Sequence, residues 1–250
     1  MDNTTAPEHK KRLDVYIAET GLVRSRSVAA DLVKRGKVIV NGNIEKKPSL
    51  IVFPADKVEV SEAMRFVSRA GDKLDGALDA WKIDVDGMTA IDIGSSTGGF
   101  VDCLLKRGAE KVIAIEVGTD QLDASLRGDP RIELHEQTDV RRFSLPKSSP
   151  LADLIVADVS FISLSLIFPK AYELLRKGCE MIALVKPQFE VGREIAHKRK
   201  GVIRDEKERR TAFDRVVADA KSIGFKVVAY IDSPLDGEGG NREYLLRLKK

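Results

Sequence analysis

The sequence predicts an α/β protein, a largely parallel sheet wrapped on both sides by helices, preceded by a small α+β module. Three observations carry this expectation. Short apolar, β-branched runs recur from residue 89 to the end of the chain, most of them separated by segments of helical length. The first sixty residues instead hold two short helical patterns and closely spaced strand segments. The charge divides at the same place: residues 1–60 hold 11 Lys and Arg against 8 Asp and Glu, which leaves the rest of the chain balanced at 31 against 31. The expected organisation is therefore a first domain over 1–60, a connector over 61–68 and a second domain over 69–250.

In the first domain the chain reads RLDVYIAETG, SRSVAADLVKRG, KVIVNGNIEKKPS and DKVEV. Val28, Leu32 and Val33 fall at helical spacing behind a Ser25 or Ser27 cap, and Gly36 stops that helix. Asn41-Gly42 supplies the positive backbone angles of a tight hairpin turn. Arg24, Arg26, Lys34, Arg35, Lys37, Lys46 and Lys47 face only Asp31 and Glu45, an excess that suits phosphate binding, although a solvated basic face has the same composition. These motifs together resemble the RNA-binding domain named after ribosomal protein S-four. That resemblance implies RNA contacts from Arg24, Arg26, Lys34, Arg35 and Lys37.

In the second domain, Leu74, Leu78 and Trp81 mark one face of a helix that follows Ser68-Arg69-Ala70-Gly71-Asp72-Lys73. Strands are expected at 89–93, 111–115, 131–135, 153–157, 180–185, 225–231 and 243–248. The last two lie too close for a helical crossover and should form an antiparallel hairpin at the sheet edge. Seven strands ending in a hairpin is the layout of class I, Rossmann-like methyltransferases.

Composition narrows the chemistry. At 43% hydrophobic and 32% charged, 250 residues bury an ordinary core, which argues against disorder or a low-complexity polymer. No apolar run approaches the roughly 18 residues of a membrane helix, and the N-terminus, with Asp2 and Glu8, lacks the apolar core of a signal peptide, so neither membrane insertion nor secretion is expected. Cys103 and Cys179 read as reduced core residues of a cytoplasmic protein. His9, His135 and His197 are too scattered for a metal cluster or a Ser-His-Asp triad. No metal is expected, and chemistry falls to Lys, Asp and Glu.

The first strand of the second domain runs into Asp92-Ile93-Gly94-Ser95-Ser96-Thr97-Gly98-Gly99-Phe100, where small residues let the backbone approach a ligand before a helix begins. The spacing D-x-G-x-x-x-G-G differs from the dinucleotide fingerprint and belongs with S-adenosylmethionine sites. Asp92, Gly94, Ser95, Ser96, Gly98, Gly99 and Phe100 are the candidate cofactor loop. Glu116, past the second strand, stands where an acid can accept both ribose hydroxyls. Asp139, past the third, is equally suited to the adenine amine or to forming a turn. Lys73, Asp158, Lys186 and Glu243 occupy special positions. Asp158 and Lys186 end neighbouring strands, and the ligand crevice of an open parallel sheet lies at those carboxyl ends.

These four residues match the Lys-Asp-Lys-Glu tetrad of ribose 2'-O-methyltransferases resembling the heat-shock RNA methyltransferase family. The first-domain motifs, SRAGDKL, DIGSSTGGF, ADVSFISL, KPQFE and GNREYLL together resemble the bacterial hemolysin-A-type TlyA family of ribosomal RNA 2'-O-methyltransferases, from about Arg12 to the C-terminus. Departures are Ala70 for a usual Gly and Gly118-Thr119-Asp120-Gln121 for a Gly-Tyr-Gly-Gln-like turn. The resemblance implies methyl transfer from S-adenosylmethionine to a cytidine ribose, with ribosomal RNA or ribosomal subunits as partner. Methyl transfer from a sulfonium needs a hydroxyl stripped of its proton at the moment of attack, which a neutral amine can do. Lys186 is the expected base, Lys73 its neighbouring cation, and Asp158 and Glu243 the groups that orient the amines. The segment from Pro187 to Asp205 carries Arg193, Lys198, Arg199, Lys200 and Arg204 and is expected as a flexible basic lid that holds RNA, the alternative being a mobile surface loop whose charges only keep it soluble. Rival readings are a noncatalytic ribosome-binding protein, a nicotinamide dehydrogenase and a pore-forming haemolysin, the last disfavoured because the sequence offers neither a spanning helix nor barrel-like strands.

Overall fold

The chain divides between Arg65 and Phe66 into two units, and the structure, a computed structural model, describes residues 10–23, 25–61 and 65–250. Arg24, one of the expected RNA contacts, lies outside the described residues.

The first unit contains β1 (Lys11–Arg12), α1 (Leu13–Glu19), α2 (Arg26–Lys34), β2 (Val38–Val40), β3 (Asn43–Glu45), β4 (Ile51–Val52) and β5 (Val58–Val60). The α2 helix starts at Ser25, whose hydroxyl accepts a hydrogen bond from the Val28 amide at 3.3 Å. Its buried residues are Ala29, Leu32 and Val33, with Val28 only partly covered, and they pack against Leu13, Ile17, Val38 and Val52. Asn41 and Gly42 take φ of 51° and 82° in the turn between β2 and β3, and β2 lies between β3 and β5 in an antiparallel sheet.

The second unit continues with α3 (Arg69–Trp81), β6 (Thr89–Ile93), α4 (Gly99–Lys106), β7 (Lys111–Ile115), β8 (Ile132–His135), β9 (Ala152–Ala157), α5 (Phe168–Leu174), β10 (Leu175–Val185), α6 (Pro187–Glu190), α7 (Arg193–Lys198), α8 (Glu206–Ile223), β11 (Lys226–Asp232) and β12 (Tyr244–Lys249). Its seven strands form one sheet in the order β11-β12-β10-β9-β6-β7-β8. Neighbouring strands from β8 to β10 are parallel, whereas β12 runs antiparallel to both β10 and β11. The expected terminal hairpin forms, with its second strand inserted beside β10 and its first at the edge. Because successive side chains of a strand point to opposite faces, Ile91, Ile113, Ile155 and Ala183 face α5 and α8, while Ala90, Val112, Val156 and Ile182 face α3 and α4. Both faces are covered, and the central strands are accordingly rich in aliphatic residues.

Three expectations change. Phe66 and Val67, placed in the connector, are buried in the core of the second unit, where the Val67 amide donates to Asp102 Oδ2 at 2.8 Å. Cys179 is only partly buried, beside a bend at Gly178 early in β10. The segment after Lys186 is not an unstructured loop: it forms α6 and α7, and Val191 and Ile203 pack with Ala212 of α8 into a small core of their own. Short helices and single buried aliphatics among so many charges leave little period for a sequence pattern to reveal.

Among the described residues no helix is long and apolar enough to cross a membrane. Gly71 lets α3 start against Phe66, since a β-carbon there would lie 2.4 Å from Phe66 Cβ and Cγ. We predict that Gly71→Ala destabilises the protein by about 1–3 kcal/mol, the usual cost of overpacking a core. Denaturant unfolding checks this, and an unchanged midpoint would show that Phe66 repacks freely.

Candidate active site

At the carboxyl ends of β6, β9 and β10 the second unit opens into a cavity of about 1000 Å³. Strand-end residues lie here because the parallel strands all stop at the same edge, so polar groups excluded from both covered faces collect at their tips. Six of the nine expected cofactor residues, Asp92, Gly94, Ser95, Ser96, Gly99 and Phe100, line the cavity, as do Lys73, Asp158, Lys186 and Glu243. Gly98, Glu116 and Asp139 are not among its lining residues.

The loop after β6 is shaped by close approach. Gly94 takes φ of 82°, and a β-carbon on it would meet the Asp158 carbonyl oxygen at 2.9 Å. At Gly99 a β-carbon would stand 2.2 Å from Ser68 Oγ, so only glycine lets the start of α4 meet the start of α3. Asp92 is fully buried, and neither of its oxygens makes a well-formed hydrogen bond. Burial pushes its carboxyl well above the usual 3.8, Asp158 and Glu116 push further, and only the Val101 amide acts in favour of the charged form. Ser95 Oγ and Gln188 Oε1 are likewise buried without a hydrogen-bond partner. A cavity with a buried uncompensated carboxylate and unused polar atoms suits a ligand that carries positive charge and hydrogen-bonding groups.

Glu116 sits beside this floor, accepting hydrogen bonds from the amides of Ser96 at 2.9 Å and Gly118 at 2.8 Å. Gln121 covers the same place: its amide nitrogen lies 1.9 Å from where a β-carbon on Gly118 would stand, and its Oε1 accepts from Ser96 Oγ at 3.1 Å. Asp139 caps a single 3-10 turn at Val140–Arg142. Its carboxylate is engaged by the amide and guanidinium of Arg141, which hold it below the usual carboxylate range.

The four charged residues meet as two pairs. Lys73 Nζ lies 2.6 Å from Glu243 Oε2, both nearly buried. Lys186 Nζ lies 2.6 Å from Asp158 Oδ1 and donates to Ser160 Oγ at 2.9 Å. Glu243 also accepts from Gln188 Nε2 at 3.4 Å. Lys73, the expected neighbouring cation of Lys186, is paired with Glu243, so its field at Lys186 is that of an ion pair.

Four further residues, inside the motifs ADVSFISL, KPQFE and GNREYLL but given no role by the sequence, shape this site. Ser160 holds Lys186. Glu190 accepts from Ser163 Oγ at 2.6 Å and from the Leu164 amide at 3.0 Å, tying the segment after β10 to the segment after β9. Burial pushes the Glu190 carboxyl up, against the pull of those two donors. Asn241 anchors Gly201 and Ile203 next to Glu243. Phe161 stands 92% exposed on the cavity lining, at φ of 64°, against the ring of Phe189 at 5.0 Å. A large apolar residue between Ser160 and Ile162, just past a strand end, was the available signal for Phe161. The partners of Glu190 and Asn241 are too distant in sequence to leave one.

In the first unit the basic residues are unequal. Asp14 is buried, held below the usual carboxylate range first by the fork of Arg12, and also bonded by Arg26 Nε at 3.1 Å. Arg26 is thus partly spent on Asp14, and Arg35 lies 3.9 Å from Asp31. Lys34 is exposed, and Lys37 is partly buried.

The FtsJ-like methyltransferase family matches residues 66–250, and the S4 domain matches residues 11–58. A Mycobacterium tuberculosis protein named 16S/23S rRNA (cytidine-2'-O)-methyltransferase TlyA is 39% identical, over 96% of this chain and 90% of that protein. Hemolysin A of Brachyspira hyodysenteriae is 39% identical over 94% of this chain and 98% of its own. A solved structure described as a hemolysin from Streptococcus thermophilus superposes with a TM-score of 0.75 at 39% identity, covering 98% of this chain and 90% of that one. With a cavity at the strand ends and a family match across the unit that contains it, the chain belongs to the FtsJ-like methyltransferase family, with an S4 domain at its N-terminus.

Proposed function

We propose that the protein transfers a methyl group from S-adenosylmethionine to the 2'-hydroxyl of a cytidine in ribosomal RNA. The observation that carries this reading is the pair of lysine–carboxylate contacts on one cavity beside the buried Asp92. The nucleotide and the RNA class come from the name of the Mycobacterium tuberculosis relative.

S-adenosylmethionine supplies, when bound, an electrophilic methyl group on a sulfonium. Its positive charge fits the uncompensated Asp92, and the unused Ser95 Oγ and Gln188 Oε1 supply polar contacts. Glu116 keeps lone pairs free for two ribose hydroxyls beyond the two amides it already accepts. Asp139 reaches an adenine amine only by sharing its carboxylate with Arg141.

Lys186 acts as the base. Asp158 and Ser160 fix its amine at the cavity, where, with the methyl donor bound, Nζ would take the proton of the attacking 2'-hydroxyl as the methyl carbon's bond to sulfur breaks, leaving the neutral thioether, and its bond to oxygen forms. Lys186 has to be neutral when it accepts this proton. Lys73 and Glu243 shape the other side of the site. Phe161 offers an exposed aromatic face on which an unstacked base can rest. In the first unit, Arg26, Lys34, Arg35 and Lys37, together with Arg24, supply phosphate contacts.

Methyl transfer to ribosomal RNA, read by mapping 2'-O-methyl groups, tests the reading directly. Lys186→Ala should slow transfer by about 100- to 10,000-fold, the range typical of a missing general base, with S-adenosylhomocysteine affinity nearly unchanged. Near-parental turnover would remove Lys186 from the mechanism.

Asp92 gives a prediction with opposite signs for stability and binding. Because its folded-state carboxyl titrates well above 3.8, its stabilising contribution is full below that pH and is lost as pH rises through the folded-state value. Asp92→Asn should therefore raise the melting temperature at neutral pH, by an amount that shrinks towards pH 3.8, while weakening S-adenosylmethionine binding more than that of S-adenosylhomocysteine, whose sulfur is uncharged. A variant that is less stable and binds normally would show that Asp92 serves the fold alone.

For the first unit, neutralising Lys34 should lower the log–log salt slope of RNA binding by roughly 0.7 to 0.9 for each phosphate that its amine engages. Arg26→Gln, already diverted to Asp14, should lower it less. Salt titrations of ribosomal-subunit binding compare the two, and equal slopes for both variants and the parent would take this face off the RNA.

A further inference from the structure

A second, smaller cavity of about 390 Å³ opens beside the first and is lined by Lys198, Arg199, Lys200, Val202, Arg204 and Asp205. Lys200 and Val202 line both cavities. The charges here are not equivalent. Arg199 forks onto Glu208, with Nε 3.1 Å and Nη2 2.8 Å from its carboxylate oxygens. Asp205, the acid in the lining, caps α8 by accepting from the Glu208 amide at 2.9 Å. Among the described residues, no carboxylate lies within ion-pairing distance of Lys198, Lys200 or Arg204.

The backbone that carries these cations is fixed from behind. Asn241, buried, donates through Nδ2 to the Gly201 carbonyl at 2.9 Å and accepts from the Ile203 amide at 2.9 Å. Ile203 is buried against Val191 and Ala212. Lys200 itself holds φ of 50°, a conformation that a non-glycine residue keeps only where its surroundings impose it. Asn241 is two residues from Glu243, so one short stretch of chain sets both the catalytic cavity and the cationic one. A nucleic-acid strand that seats a ribose beside Lys186 must carry its flanking phosphates out of the large cavity, and on this side it meets three unneutralised cations on a fixed backbone.

We propose that Lys198, Lys200 and Arg204 form a phosphodiester-binding subsite for the RNA strand whose target ribose occupies the adjoining cavity. The inference rests on the proposed RNA methyl transfer for the identity of the strand. Unlike the first-unit contacts, which give general affinity, this subsite sets which ribose is presented, because it shares its wall with the catalytic cavity.

The test uses the full chain and a short fluorescent single-stranded oligocytidylate as probe, with anisotropy read across a salt series. The triple variant Lys198→Gln, Lys200→Gln, Arg204→Gln should lower the log–log slope by about 2, from three phosphates at roughly 0.7 each. Arg199→Gln, which removes the paired cation, should change it by much less. Lys200→Gln alone gives a second reading should the triple variant fold poorly, with an expected drop of about 0.7. A parental slope in a folded Lys200→Gln or triple variant overturns the proposal, as does an equal drop in Arg199→Gln, which would signal a net-charge effect only. So does loss of binding to phosphatidylglycerol vesicles with the RNA slope intact. Methyl transfer does not enter this measurement: a parental protein that fails to methylate ribosomal RNA overturns the functional reading, while the slope still decides the subsite.

Discussion

The cover of helices on both faces of the seven-stranded sheet is the constraint from which the site follows. A strand buried on both sides has no face on which to display a charge, so Asp92 stands out as a fully buried acid within a strand, and its neighbours Glu116, Asp158 and Lys186 appear just beyond strand ends. Parallel strands place those ends together. Seven runs of aliphatic residues, each chosen for the core, therefore concentrate the polar chemistry at one edge without any one of them encoding it.

That concentration has an electrostatic cost, which the structure meets unevenly. Lys73 with Glu243 and Lys186 with Asp158 are compensated locally, within hydrogen-bonding distance. Asp92 is not: it is buried, near two other carboxylates, and favoured in its charged form by a single amide. An uncompensated buried acid lowers stability in the absence of a ligand, and a cationic ligand relieves that loss on binding. The same position is thus a weak point of the free protein and, in the proposed complex, a source of affinity.

The segments that follow β9 and β10 act as one piece. Glu190 joins them through Ser163 and Leu164, Phe161 and Phe189 stack across them, and Asn241 binds the later stretch at Gly201 and Ile203. Lys186, Asp158 and the cations at Lys198 and Lys200 are consequently carried on linked backbone, not on independent loops. Rigidity of this kind keeps the orientation of a substrate strand tied to the orientation of the amine.

The sequence by itself determined the alternation of strands and helices, because burial on two faces writes long apolar runs, and it determined the glycine loop after β6, because close backbone approach admits few residues. It also marked Lys73 in the helix before the sheet and Asp158, Lys186 and Glu243 beside strand ends. Only the tertiary structure decided how they pair: Lys73 and Glu243 are 170 residues apart and meet at the cavity beside the strand ends, an arrangement that leaves no local period. The same holds for Arg199, whose charge is cancelled by Glu208, and for Arg26, diverted to Asp14. Composition counts charges, whereas folding decides which of them are already spent. The helices over 187–205 escaped the pattern for a related reason, since elements of four and six residues are held by a few distant contacts and not by a repeating apolar stripe.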